Sequence, residues 1–290
     1  MQKIKLSGCG TALVTPFKNG EVDYPAYSRL VQRQVEAGID FLVPLGSTAE
    51  TPCLLDEEKV RVLDTTRQNA PNHTIVAGVG TNSLYHTIAN MRLLKDADMY
   101  LVVVPYYNKP TQKGMYEYFK AVAEASDKPI VLYNVPGRTG INMAAKTTLK
   151  LAEIDNIIGI KEASGNLAQI REIITHAPDD FAVLSGNDDQ TLDLMLEGGH
   201  GVISVASNVV PEMMVALTDA AKNEDFNAAS KLFRRLIPLF DACFVESNPI
   251  PVKGALYYLG LIENELRLPL TSCEPSTLLL MEKVLKLLKA

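Results

Sequence analysis

Lys161 closes an uninterrupted apolar run, Ile157-Ile158-Gly159-Ile160, where a lysine must be solvated, paired or put to use. A lysine amine of ordinary pKa, about 10.4, is protonated at neutral pH. A nucleophilic role therefore needs that value lowered by burial or by a neighbouring cation. The alternative is a salt bridge to Glu162 or another carboxylate. Tyr133 closes a second run, Ile130-Val131-Leu132, and can move protons if its hydroxyl is hydrogen-bonded to another hydroxyl. Arg138 stands on the turn Pro136-Gly137-Arg138-Thr139-Gly140, where its planar fork could face a carboxylate. A rim anchor and a solvated loop arginine are the plainer readings of these two. Ser47 and Thr48 follow a third run, within Gly46-Ser47-Thr48-Ala49-Glu50. Small residues and hydroxyls at such a turn expose backbone N–H groups that suit a small carboxylate, or they cap a helix. A fourth run leads into Pro105-Tyr106-Tyr107-Asn108-Lys109-Pro110, whose paired tyrosines read as rim packing or as an oligomer contact. Taken together, a lysine, a tyrosine, an arginine and a hydroxyl pair at separate strand ends make a Schiff-base site with carboxylate recognition. Such a site needs no cofactor, because the imine is its own electron sink. His73, His86, His176 and His200 are scattered, and no His/Asp/Glu cluster suggests a metal.

These residues need a scaffold that gathers strand ends. Continuous apolar runs, as expected of parallel strands buried on both faces, predict strands at Gly10–Val14, Phe41–Leu45, Thr74–Ala77, Met99–Val103, Pro129–Tyr133, Ile157–Lys161, Ala182–Leu184 and Gly201–Ser204. Helical patterns lie between them. One spans Tyr27–Ala37 and is stopped by Gly38; another spans Glu57–Asn69, with Asp56 as its cap. Eight such units predict an α/β fold, a (β/α)8 TIM barrel, whose active site lies at the C-terminal ends of the strands. A doubly wound sheet would carry a glycine fingerprint after its first strand, but Gly8-Cys9-Gly10 and Gly78-Val79-Gly80 lack the third glycine. Beyond Asn223 only helical patterns remain, at Asp225–Phe244, Pro249–Leu259 and Ser276–Leu288. The expected division is a catalytic barrel over 1–224 and a C-terminal helical region over 225–290 packed on it.

Composition narrows the partners. With 47% hydrophobic and 21% charged residues, the 290-residue chain has the make-up of a globular enzyme, and its length fits one barrel with an appendage. A net charge of −6 without long runs of one sign argues against nucleic acid. No apolar segment is long enough for a membrane span, and Met1–Leu6 does not read as a leader. Four dispersed cysteines with no C-x-x-C pair read as reduced thiols, so the cytoplasm is the expected compartment.

With these residues in hand, the chain resembles the N-acetylneuraminate lyase superfamily along essentially its whole length, and within it the dihydrodipicolinate synthase branch. The matching segments are Gly46–Glu50, Pro105–Asn108, Tyr133–Thr139, Gly159–Gly165 and Glu246–Lys253. The resemblance implies an enzyme of lysine and diaminopimelate biosynthesis that condenses pyruvate, held as a Lys161 imine, with aspartate semialdehyde. Tyr133 becomes the proton shuttle, supported by Ser47 and by Tyr107 from a neighbouring subunit of a homotetramer, a dimer of dimers. Thr48 and nearby backbone N–H groups would hold the pyruvate carboxylate, and Arg138 that of the semialdehyde. Gly186 and Ile203 match positions lining the pocket around the lysine. Two departures stand out: Ser47 occupies a position that is commonly threonine, and Ala49 one that is usually glycine. Many relatives bind lysine as an inhibitor between subunits. The matching positions here are Thr51, Pro52, Asp56, Lys59, Asn82, His86 and Tyr106, with an imidazole at 86 where a glutamate receives the ligand's ammonium. The rival readings are a sugar-acid lyase running the same imine chemistry, which would not call for Arg138, and a non-catalytic metabolite-binding barrel.

Overall fold

The computed structural model describes residues 6–289; residues 1–5, read above for a leader, and Ala290 lie outside the described residues. Eight parallel strands close into a barrel: β1 (Gly8–Ala12), β2 (Phe41–Val43), β3 (Thr74–Gly78), β4 (Met99–Val103), β5 (Ile130–Asn134), β6 (Ile157–Glu162), β7 (Ala182–Ser185) and β8 (Gly201–Ser204). Each pairs with its sequence neighbours, and β1 pairs with β8 to close the ring. All eight expected strands form.

The largest shift in register is in β1, which begins two residues before the expected start. Small residues make the closing seam: Gly8 lies opposite Gly201, and a Cβ on Gly201 would fall 1.9 Å from the Gly8 carbonyl oxygen. Only glycine allows the two backbones to meet there. The β2 strand ends early instead, because Leu45 turns to φ +61° and leads the chain out of the barrel.

Alternation along the strands creates two apolar layers. Phe41, Val43, Val76, Met99, Leu101, Val131, Ile158, Leu184 and Ile203 fill the barrel interior. Leu42, Ile75, Val102, Leu132, Ile160 and Val183 face outward against the helices. The first helix, α1 (Tyr24–Glu36), starts earlier than its apolar pattern, since the Asp23 carboxylate accepts from the Ala26 N–H and Pro25 fits the first turn. The second, α2 (Asp56–Asn69), corrects the expected cap. Leu55 is the capping residue, the Glu58 carboxylate accepts from its N–H at 2.9 Å, and Asp56 lies inside the helix, where it pairs with Lys59 at 2.8 Å. An aspartate in a first turn is favoured by the helix dipole wherever the cap falls.

Among the described residues no strand follows Ser204. The last three helices are α3 (Phe226–Ala242), α4 (Ile250–Tyr258) and α5 (Pro275–Lys289). Leu236, Leu239, Phe240, Val252, Leu256 and Met281 from these helices join the same buried cluster as the outer faces of the strands. None of the described helices is long and apolar enough to cross a membrane.

Candidate active site

Register places Lys161 beside Tyr133, its partner on β5, with both side chains directed into the barrel at its C-terminal end. Lys161 is 4% exposed, and its Nζ lies 4.6 Å from the centroid of the Tyr133 ring. The salt bridge to Glu162 does not form. Alternation turns Glu162 away, into a buried cage where Asn134 and Gln169 side chains and the Ser164 N–H donate to its carboxylate at 2.7–3.1 Å. Burial nevertheless holds the Glu162 carboxyl above the usual carboxylate range, with those hydrogen bonds opposing the shift.

Gly186 gives Lys161 its room. A Cβ at 186 would sit 3.0 Å from Lys161 Cε and 2.6 Å from the Ala163 methyl. Ile203 lies in the interior apolar cluster that also contains Tyr133. Two residues past Gly186, Asp188 is fully buried, with Oδ2 accepting from the Val205 and Ala206 N–H groups at 3.0 and 2.9 Å. Burial raises the Asp188 carboxyl, with hydrogen bonds from Ser204, Ala206 and Val205 and, more weakly, the charge of Lys161 opposing the shift.

A cavity of about 240 Å³ opens at this end of the barrel. Ser47, Tyr133, Arg138 and Thr139 line it, together with Leu101 and Val103 from β4. Thr51, Pro52, Lys59 and Tyr106 line the same cavity, so part of the expected lysine-binding set shares the mouth of the site. Lys59 there is paired with the exposed Asp56. Asn82 is bonded to Asn108, its Nδ2 donating to Oδ1 at 3.0 Å, and His86 is exposed near the start of the helix Leu84–Leu93. Tyr107 stands apart from the site residues of its own chain: it is 88% exposed, at φ +69°.

The hydroxyl loop is shaped by its ends. Ala49, standing in the usual glycine position, is buried with φ in the ordinary negative range, and the left-handed positions of the loop are Leu45 and Glu50. The Thr51 hydroxyl donates back to the Gly46 carbonyl at 2.9 Å and closes the turn. Thr48 is 2% exposed, and its Oγ1 accepts from Asn248 Nδ2 at 2.9 Å. The Asn248 carbonyl in turn accepts from Arg138 Nη2 at 2.9 Å. One residue from the C-terminal region thus touches both groups expected to hold carboxylates. Residue reasoning missed it, although it lies within the Glu246–Lys253 stretch that carries the resemblance. Asn248 Oδ1 is buried and has no protein partner.

A closed parallel barrel with a buried lysine and tyrosine side by side at its C-terminal mouth defines the class: a class I, Schiff-base-forming aldolase-type enzyme. The chain belongs to the dihydrodipicolinate synthetase family, whose pattern matches residues 5–288. It is 48% identical to the 4-hydroxy-tetrahydrodipicolinate synthase of Koribacter versatilis (strain Ellin345), over 97% of this chain and 95% of the relative. The dihydrodipicolinate synthase structure from Thermotoga maritima shares 44% identity and superposes with a TM-score of 0.97 over 99% of each chain. That from Cyanidioschyzon merolae, solved with lysine bound, shares 38% identity with a TM-score of 0.92 over 98% of each chain.

Proposed function

We propose that the chain condenses pyruvate with aspartate semialdehyde to give 4-hydroxy-tetrahydrodipicolinate, in lysine and diaminopimelate biosynthesis. The observation that carries this reading is the Lys161–Tyr133 pair, with Nζ 4.6 Å from the ring, in which Tyr133 lines the cavity that also presents Ser47 and Arg138. Lys161 attacks the ketone of pyruvate and water leaves, forming the imine. Loss of a methyl proton gives the enamine, whose carbon attacks the aldehyde while the aldehyde oxygen takes up a proton. The semialdehyde's own amine then adds to the imine carbon and expels the Lys161 amine, closing the ring. Tyr133 carries the protons, assisted by Ser47 and by Tyr107 of a neighbouring subunit. Thr48 with adjacent backbone N–H groups takes the pyruvate carboxylate, and Arg138 that of the semialdehyde. The exposed Tyr107 is free to reach a neighbouring subunit, and the family resemblance suggests a homotetramer built as a dimer of dimers.

Borohydride trapping tests the reading. Incubation with pyruvate and borohydride should add one pyruvate-derived mass per chain, on Lys161, and assays across candidate aldehydes should favour aspartate semialdehyde. A stable adduct elsewhere, or none in active enzyme, overturns the mechanism.

A further inference from the structure

The chain contains a second lysine more deeply buried than Lys161. Lys253, on α4, is 0% exposed, and its Nζ donates to Glu50 Oε1 at 2.7 Å and to the Thr15 carbonyl at 2.9 Å. The Phe17 ring covers it, with its centroid 4.3 Å from Nζ. Glu50 is equally enclosed, and its Oε2 accepts from the Arg267 N–H at 3.0 Å. Burial pulls the Lys253 ammonium down to about 8, and the charge of Glu50 resists that fall.

What the pair holds is the loop that carries Ser47 and Thr48. Glu50 is the residue immediately after the turn Ser47–Ala49, at φ +54° and ψ +33°, a left-handed conformation that a non-glycine residue adopts only when its surroundings enforce it. That conformation directs its carboxylate inward onto Lys253. The adjoining Thr48 is gripped from the same C-terminal segment by Asn248. Loss of one member of a buried charge pair is costly, because the remaining partner is left desolvated and unpaired. We infer that Lys253 and Glu50 are positioning residues for pyruvate: their buried ion pair fixes the Ser47–Thr48 loop in the geometry that receives the substrate carboxylate.

This rests on the reading of Thr48 as a carboxylate holder, and the test separates the two. Lys253→Met keeps most of the side-chain length and removes its charge; Glu50→Gln keeps the shape and removes the charge from the other end. The measurements are the half-saturating pyruvate concentration for borohydride trapping, the trapping rate at saturation, and the KM for aspartate semialdehyde. Either variant should raise half-saturating pyruvate roughly tenfold. The saturated trapping rate and the KM for the semialdehyde should stay within about twofold, with the adduct still on Lys161. Unchanged pyruvate saturation in a folded variant, or an equal rise for both substrates, overturns the inference. The wild-type enzyme gives a readout that does not depend on the variants folding. Saturating pyruvate should slow amide exchange in 46–54 and in 248–256 together, and slowing confined to 46–54 counts against the pair. Absence of any pyruvate adduct on the wild-type enzyme defeats the proposed function itself, and the inference with it.

Discussion

Arg138 is the residue whose role is most open to dissection, because one arm of its guanidinium is already anchored on the Asn248 carbonyl. Arg138→Ala should weaken use of the semialdehyde while leaving pyruvate trapping nearly intact. Loss of charge-assisted hydrogen bonds to a carboxylate costs about 1.5–3 kcal/mol each in transition-state stabilisation, read from kcat/KM. An equal loss of trapping would mark it as scaffold. Glu162 gives a prediction in pH. Its folded-state pKa is raised by burial, so its favourable contribution is complete below the ordinary carboxylate value and is lost as pH rises through the raised one. The stability of the wild type relative to Glu162→Gln should therefore fall as pH rises above about 4.5, measured by urea unfolding at each pH. A relative stability of the wild type that rises with pH would show that the caging hydrogen bonds outweigh burial. Lys161, Tyr133 and Arg138 were legible in the sequence because each interrupts a local pattern, two at the ends of apolar runs and one on a Pro-Gly turn. The partner of Thr48 was not, since Asn248 lies 200 residues away along the chain. No local pattern encodes that contact; only closure of the barrel brings the two together.

At the scale of elements, the eight strands could be read because a strand buried on both faces has an uninterrupted apolar signature. Their ends were less legible, and the reason differs at each. The β2 strand stops at a left-handed leucine, which no residue preference announces. The α2 cap is a leucine whose N–H is satisfied by Glu58, so the usual search for a capping side chain settles on Asp56 instead. The β1–β8 seam is where one atom most affects the fold. Gly201→Ala would drive a methyl into the Gly8 carbonyl at a residue whose φ is +140°, where side chains are strained whatever the space. Overpacking of this kind costs about 1–3 kcal/mol and should lower the unfolding midpoint by several degrees in a thermal scan. A midpoint unchanged from that of the wild type would mean the seam can open without penalty.

Assembly and regulation belong to the whole molecule. If Tyr107 serves a neighbour's site, mixing Tyr107→Phe chains with Tyr133→Phe chains should restore activity in hybrid dimers, because one site then carries both tyrosines. A fully active, unassociated monomer would contradict it. Lysine is expected to inhibit weakly. His86 supplies no anion for the ligand's ammonium, and Lys59 adds a positive charge that its pair with the exposed Asp56 only partly offsets. Steady-state rates should hold with lysine titrated into the millimolar range, and half-inhibition below that range would reveal another anionic partner in the cleft. The grip of Asn248 and Lys253 on a loop some two hundred positions upstream also sets an order of events on the ribosome. A nascent chain exposes Lys161 well before it has anything to steady the hydroxyl loop. The half-made protein therefore has its lysine before it has the means to hold the loop beside it. The loop can be held as it is in the finished fold only once residues 248–253 have been made.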